Sequence, residues 1–184
     1  QGKDYFITVG GGYTPQQIEK IVKAEFFKNV TKGDLPAKYD YLIKKREDYA
    51  TWLTFKINPK QPYLKNLPTN VINSVPIDYY LMENFTGFSS FNHTNFDSLF
   101  IPFRCVAANV EDKESVVFKS GSLSTALRAS MSYPFYLRPI IVNNKLLFDG
   151  GLYDNFPVDV MKENFKPDFI IGSKVEKKNI SPDD

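Results

Sequence analysis

The stretch Leu146-Leu147-Phe148-Asp149-Gly150-Gly151-Leu152-Tyr153-Asp154-Asn155-Phe156-Pro157 holds the residues whose types and spacing best suit chemistry. A short apolar run, Leu146 to Phe148, reads as the end of a buried strand. An acid closes it, and Gly150 and Gly151 then let the backbone turn where a side chain would forbid it. Pro157 suits the first turn of a new helix, where its missing N–H has no intrahelical acceptor anyway. The spacing thus sets Asp149 at the C-terminal end of a strand, in a tight turn before a helix. In open α/β sheets this is the edge where ligands and catalytic groups gather. The plain alternative is that Asp-Gly is a common turn dipeptide with only a structural role. On these residues alone both readings stand.

A second candidate is Gly10-Gly11-Gly12, directly after Asp4 to Val9, a β-branched and aromatic run that reads as a strand. Such glycines form either a flexible turn, the commoner case, or a loop whose N–H groups face an anion or oxyanion. His93 is the single histidine and lies in Phe85 to Asn95, a polar and aromatic segment that reads as a loop, so it reads as a surface residue. The single cysteine, Cys105, excludes an intrachain disulfide and sits in an apolar run that points to burial.

Composition sets the outer bounds. The chain has 42% hydrophobic and 24% charged residues, the balance of a soluble globular domain. Aromatics reach 15%, with 16 Phe and 11 Tyr, more readily used as core than as an apolar site. A net charge of +2 without a long basic run gives no nucleic-acid signature. The charge runs Lys44 to Asp48 and Lys174 to Lys178 read as solvated. No apolar run approaches the roughly 20 residues of a membrane-spanning helix. No signal peptide is visible, and Gln1-Gly2 has the look of a tag scar. Cytoplasm and bacterial envelope both fit.

The elements that must carry these groups can be read in order. Thr14-Pro15-Gln16-Gln17 predicts a capped helix start with Thr14 as cap, Pro15 first and Gln17 closing a capping box. The pattern fades into a loop over Asn29 to Asp34. Thr51 to Ile57 reads as a strand with a return partner near Tyr63 to Pro68. Val71 to Met82 reads as helical segments broken at Pro76. Phe100 to Ala108 reads as a strand buried on both faces, and Val116 to Phe118 as another short strand. Ser122 to Met131 predicts a capped helix with Leu123, Ala126, Leu127, Ser130 and Met131 on one face. Arg138 to Val142 and Lys145 to Phe148 pair as a hairpin across Asn143-Asn144. A helix follows from Pro157 to about Asn164, and Phe169 to Val175 is a final apolar strand. This alternation in the C-terminal half predicts a largely parallel, helix-covered sheet.

Several of these segments together resemble the patatin-like phospholipases. They are Ile101-Pro102-Phe103-Arg104-Cys105-Val106-Ala107-Ala108, Gly121, Ala126-Leu127-Arg128-Ala129-Ser130-Met131-Ser132-Tyr133-Pro134, Phe148-Asp149-Gly150-Gly151 and Asn155-Phe156-Pro157. Tyr13 to Glu19 is similar to the helix start that follows the nucleophile helix in bacterial members. The resemblance covers about residues 13 to 175, and its most specific part combines the Ala-x-Arg-Ala-Ser helix with the Asp-Gly-Gly turn. It implies a three-layer α/β fold with a mainly parallel central sheet, incomplete in this chain. It implies hydrolysis of lipid acyl esters by a Ser–Asp dyad, without metal, cofactor or histidine. Asp149 would be the dyad acid, with Gly150 and Gly151 supporting its turn. Gly10, Gly11 and Gly12 would be the oxyanion glycines, or a remnant of the turn before Tyr13. The partners implied are a lipid or acyl ester and a transient membrane-surface contact.

The sequence departs from the family at one point. The Gly-x-Ser-x-Gly nucleophile elbow is absent from the 184 residues. Gly121-Ser122-Leu123-Ser124 lacks the closing glycine, and Ser130 reads as a packing residue. Val9-Gly10-Gly11-Gly12 runs straight into Tyr13, with no room for the elbow strand and its helix. Residues 1–184 therefore read as one partial domain, with 1–12 a strand and glycine loop of open assignment. Three explanations remain. The chain is a piece of a longer protein or lacks an internal segment, it is a relative without catalysis, or a second chain supplies the missing strand and serine in an oligomer. A monomer lacking the central strand and nucleophile helix is expected to be poorly stable.

Overall fold

The computed structural model describes residues 13–34, 70–90 and 95–173. Helix α1 (Pro15–Lys23) begins as its sequence dictates: the Gln17 N–H donates to Thr14 Oγ1 at 3.4 Å and the Thr14 N–H donates to Gln17 Oε1 at 2.8 Å. The reciprocal bonds satisfy two N–H groups that the first turn cannot. After a break at Ala24, α2 (Glu25–Lys32) continues through the segment read as a fading loop. It stops at Gly33, which takes the left-handed conformation at φ 87°. A Cβ there would sit 2.9 Å from Ile72 Cγ2 and 3.0 Å from the Asn73 nitrogen. The end of α2 is thereby packed against the segment that opens the next helix.

That helix, α3 (Val75–Ser90), is continuous, which corrects the expected break at Pro76 and the expected loop from Phe85. Pro76 lies in the first turn, where no N–H has an intrahelical acceptor, so its ring costs nothing. Helix α4 (Leu123–Ser130) is capped by Ser122, whose hydroxyl accepts from the Thr125 N–H at 3.3 Å. Ile77, Leu81 and Phe85 of α3 and Leu123, Ala126 and Leu127 of α4 bury one another, with Val30, Phe96, Cys105 and Leu137 completing the core.

Among the described residues four strands form one sheet: β1 (Cys105–Asn109), β2 (Glu114–Phe118), β3 (Ile140–Val142) and β4 (Lys145–Asp149), in the order β2-β1-β4-β3. The β1–β2 pair is a hairpin closed by Asn109, whose Oδ1 accepts from the Glu111 N–H at 3.2 Å while its Nδ2 donates to Asp112 at 2.6 Å. Asn143 and Asn144 take φ 50° and 62° between β3 and β4, the mirror-image turn that suits the twist of a two-residue hairpin.

All pairs in this sheet are antiparallel. Among the described residues the single parallel pairing is the bridge Asn70–Phe135. The mainly parallel sheet expected from the sequence is therefore not found there. Burial is the reason: β1 is buried at all five positions, covered by α4 and flanked by β2 and β4, and such a run looks alike in either strand direction. The strand expected from Phe100 begins only at Cys105. Among the described residues, 169–173 pair with no strand, and Phe169 and Ile171 stand exposed. The expected strand at Asp4 to Val9, the hairpin at Thr51 to Pro68, His93, the Lys174 to Lys178 tail and Gly10 to Gly12 lie outside the described residues.

Candidate active site

Strand β4 delivers Asp149, as the sequence predicts. Leu147 is buried beside Ala107 and Ala129, which anchors the strand against β1 and α4. Asp149 is the last residue of the strand and stands opposite Ala107 of β1. Its side chain is half-buried, and Oδ1 accepts the Gly151 N–H at 2.7 Å, capping a single 3-10 turn, Gly150–Leu152. Asp149 is thus both the tip of a strand and the cap of a turn. That fixes its carboxylate.

The two glycines are required for different reasons. A Cβ on Gly150 would lie 2.3 Å from the Val106 carbonyl oxygen and 2.6 Å from the carbonyl carbon, so this backbone passes β1 where no side chain fits. A Cβ on Gly151 would meet Asn155 Oδ1 at 3.0 Å and Asp149 Oδ1 at 3.1 Å. Gly150 keeps the turn against the sheet, and Gly151 leaves room for the carboxylate. After the turn, Pro157 caps α5 (Val158–Phe165), one residue earlier than the first helical position expected.

Two arginines brace this corner, and the sequence reading gave neither a role. Arg128 of α4 is buried: Nε donates to the Asp78 carboxylate, one terminal nitrogen donates to Ser132 Oγ at 2.7 Å and the other to the Arg138 carbonyl at 2.7 Å. The Ser132 hydroxyl donates back to the Arg128 carbonyl at 2.8 Å. Ser132 in turn accepts the Asp149 N–H on its carbonyl oxygen at 2.9 Å. The Ala-x-Arg-Ala-Ser helix and the Asp-Gly-Gly turn are therefore physically joined. The signal was present as an arginine in an otherwise apolar helix face, four residues before a serine. Arg104, just before β1, donates to Asp97 at 2.7 Å and to Asn164 at 3.2 Å, and its guanidinium lies 4.8 Å from the Phe165 ring centre. It docks α5 onto the sheet. The same hydrogen bond holds the Asp97 carboxyl below the usual range.

The serines considered from sequence have structural positions: Ser122 caps α4, and Ser130 is buried within that helix. Among the described residues no group of three or more His, Cys, Asp or Glu is placed to hold a metal ion.

A family model described as patatin-like phospholipase matches residues 9–162. The chain belongs to that family. Patatin-like phospholipases have lipids as their substrates, so lipid hydrolysis is the chemistry of the family to which this corner belongs. Among curated proteins, lysophospholipase NTE1 of Cryptococcus neoformans is 31% identical over 97 residues, covering 53% of this chain and 6% of the relative. A patatin-like phospholipase domain-containing protein of Caenorhabditis elegans is 36% identical over 81 residues, 43% of this chain and 6% of its own length. An uncharacterised NTE family protein of Mycobacterium tuberculosis is 37% identical over 71 residues, 39% of this chain and 12% of its own. The chain thus spans a small fraction of the length of these relatives. The patatin-like match contains both the Arg128 helix and the Asp149 turn.

Proposed function

We propose that the protein carrying this chain is a lipid acyl hydrolase that works through a Ser–Asp dyad, with Asp149 as its acid and the serine outside these 184 residues. One observation carries the reading: a patatin-like family member holds a carboxylate at a strand tip, in a turn where Gly150 has no room for a side chain and Gly151 only tight room beside the carboxylate. A carboxylate accepts several hydrogen bonds at once, so the Gly151 contact orients Asp149 and leaves it able to serve as a base.

In this mechanism the serine Oγ attacks the ester carbonyl carbon and its proton passes to Asp149. N–H groups at Gly10, Gly11 and Gly12 stabilise the tetrahedral oxyanion. Collapse breaks the C–O bond, and the leaving alcohol takes the proton from Asp149. Water, deprotonated by the same carboxylate, then attacks the acyl-serine. Fatty acid is released and the serine regains its proton. The substrate is a lipid or other acyl ester reached at a membrane surface, and no metal or cofactor takes part. The chain forms a single partial patatin-like domain. Its serine comes from elsewhere in the protein or from another chain.

The test is acyl-ester hydrolysis by the full-length protein. Asp149→Asn is expected to lower kcat by about 10²–10⁴-fold, the range of a lost general base. Undiminished activity would exclude the role. The 184 residues alone are expected to turn over nothing, since the elbow is absent. That absence also favours a second reading, a non-catalytic binding or scaffold relative. It predicts neither ester hydrolysis nor covalent labelling by a serine-directed phosphonate in the full-length protein.

A further inference from the structure

We propose that Arg128 is a positioning residue for Asp149, acting through the Ser132 carbonyl, and this rests on the dyad reading above. Strand β4 is not held by β3 along its whole length. Its pairing with β3 runs from Lys145 to Leu147 and stops there, two residues short of Asp149. Beyond that point the Asp149 N–H goes instead to Ser132 O at 2.9 Å. On the other side β1 continues to Ala107, opposite Asp149. The carboxylate's place therefore depends on Ser132 as much as on the sheet.

Ser132 is itself outside regular structure, two residues beyond the end of α4, yet fully buried. Its hydroxyl makes one hydrogen bond to the Arg128 guanidinium and one to the Arg128 carbonyl. Arg128 is fixed in turn by Asp78 of α3 and by the Arg138 carbonyl just before β3. The planar guanidinium thus meets acceptors on three separate segments, with Ser132 as the one that touches the strand tip. Lysine presents its donors from one atom and does not match this fork. Asp78 answers the Arg128 charge, and the link to Asp149 passes through a neutral peptide group. Arg128 acts by placement.

The experiment compares Arg128→Gln, Arg128→Lys and Ser132→Ala in the full-length protein, reading amide hydrogen exchange and steady-state kinetics. In Arg128→Gln, exchange over residues 147–153 is expected to rise about tenfold or more while the β1–β2 hairpin keeps its protection, the mark of local rather than global opening. The same variant should lower kcat by about tenfold or more with KM nearly unchanged, as expected when a reacting group is misplaced. Arg128→Lys should recover only part of either effect. Ser132→Ala keeps the Arg128 bonds to Asp78 and Arg138 and should shift both readouts in the same direction, less strongly. Unchanged exchange over 147–153, or an equal rise across the sheet, would overturn the proposal. If Arg128→Gln does not fold, Ser132→Ala decides by the same criteria. A wild-type protein that hydrolyses no ester sinks the dyad reading alone, while the exchange result still judges the link from Arg128 to the strand tip.

Discussion

At the scale of single residues, Gly150 and Gly151 separate fold from chemistry. The Cβ of Gly150→Ala would collide with backbone atoms of β1, which cannot swing aside as a side chain can. Its cost should reach about 3 kcal/mol, the upper part of the overpacking range, read as a lower denaturation midpoint. Gly151→Ala meets only the ends of the Asn155 and Asp149 side chains, at 3.0 and 3.1 Å. These can give way, so stability should fall by about 1 kcal/mol or less. The displaced group is the carboxylate itself, however, and activity of the full-length protein should drop far more than stability. If the two variants lost stability equally, the division of roles between the glycines would be wrong.

At the scale of elements, Arg104 ties the helix that follows the Asp149 turn to the start of β1, and its partner Asp97 gives that tie a pH dependence. A carboxyl held low by its partner binds fewer protons folded than unfolded. It therefore contributes stability above the ordinary aspartate range, and the contribution is lost as pH falls through the lowered value, below about 4. Asp97→Asn should melt below wild type at pH 6, and the gap should close in acid. The effect is small because the pair lies at the surface on the Asp97 side. A gap that stays constant with pH would exclude this carboxylate as its source. The elements themselves were legible in the sequence where local chemistry specifies them. The Thr14–Gln17 box, the Ser122 cap, the Asn143-Asn144 turn and the Asp-Gly-Gly corner are written in neighbouring residues. Strand direction was not, because β1 is buried at every position and so carries no alternation to orient it. The continuity of α3 through Pro76 and the reach of α2 to Gly33 were missed because proline and glycine mark helix ends without saying which end. The bond from Ser132 to Asp149 spans two distant segments through backbone atoms, and no residue type announces it.

At the scale of the whole molecule, the described residues bury a core between α3, α4 and one face of a small sheet, yet they leave large apolar groups uncovered. Phe100, Phe135, Phe169 and Ile171 are each at least three-quarters exposed. A domain of about this length ordinarily removes roughly 70% of its unfolded surface from water, and its stability is the small remainder after chain entropy is offset. A four-stranded sheet with such groups still in water falls short of that. The isolated 184-residue chain should therefore bind the dye ANS and unfold at low urea with a shallow slope, since the slope follows the surface newly exposed. The full-length protein should unfold at higher urea, with little dye binding, if further sequence covers these groups. A sharp, cooperative transition and no dye binding by the isolated chain would mean that residues outside those described already close the fold. The choice between hydrolase and binding relative would then rest on ester hydrolysis and phosphonate labelling of the full-length protein alone.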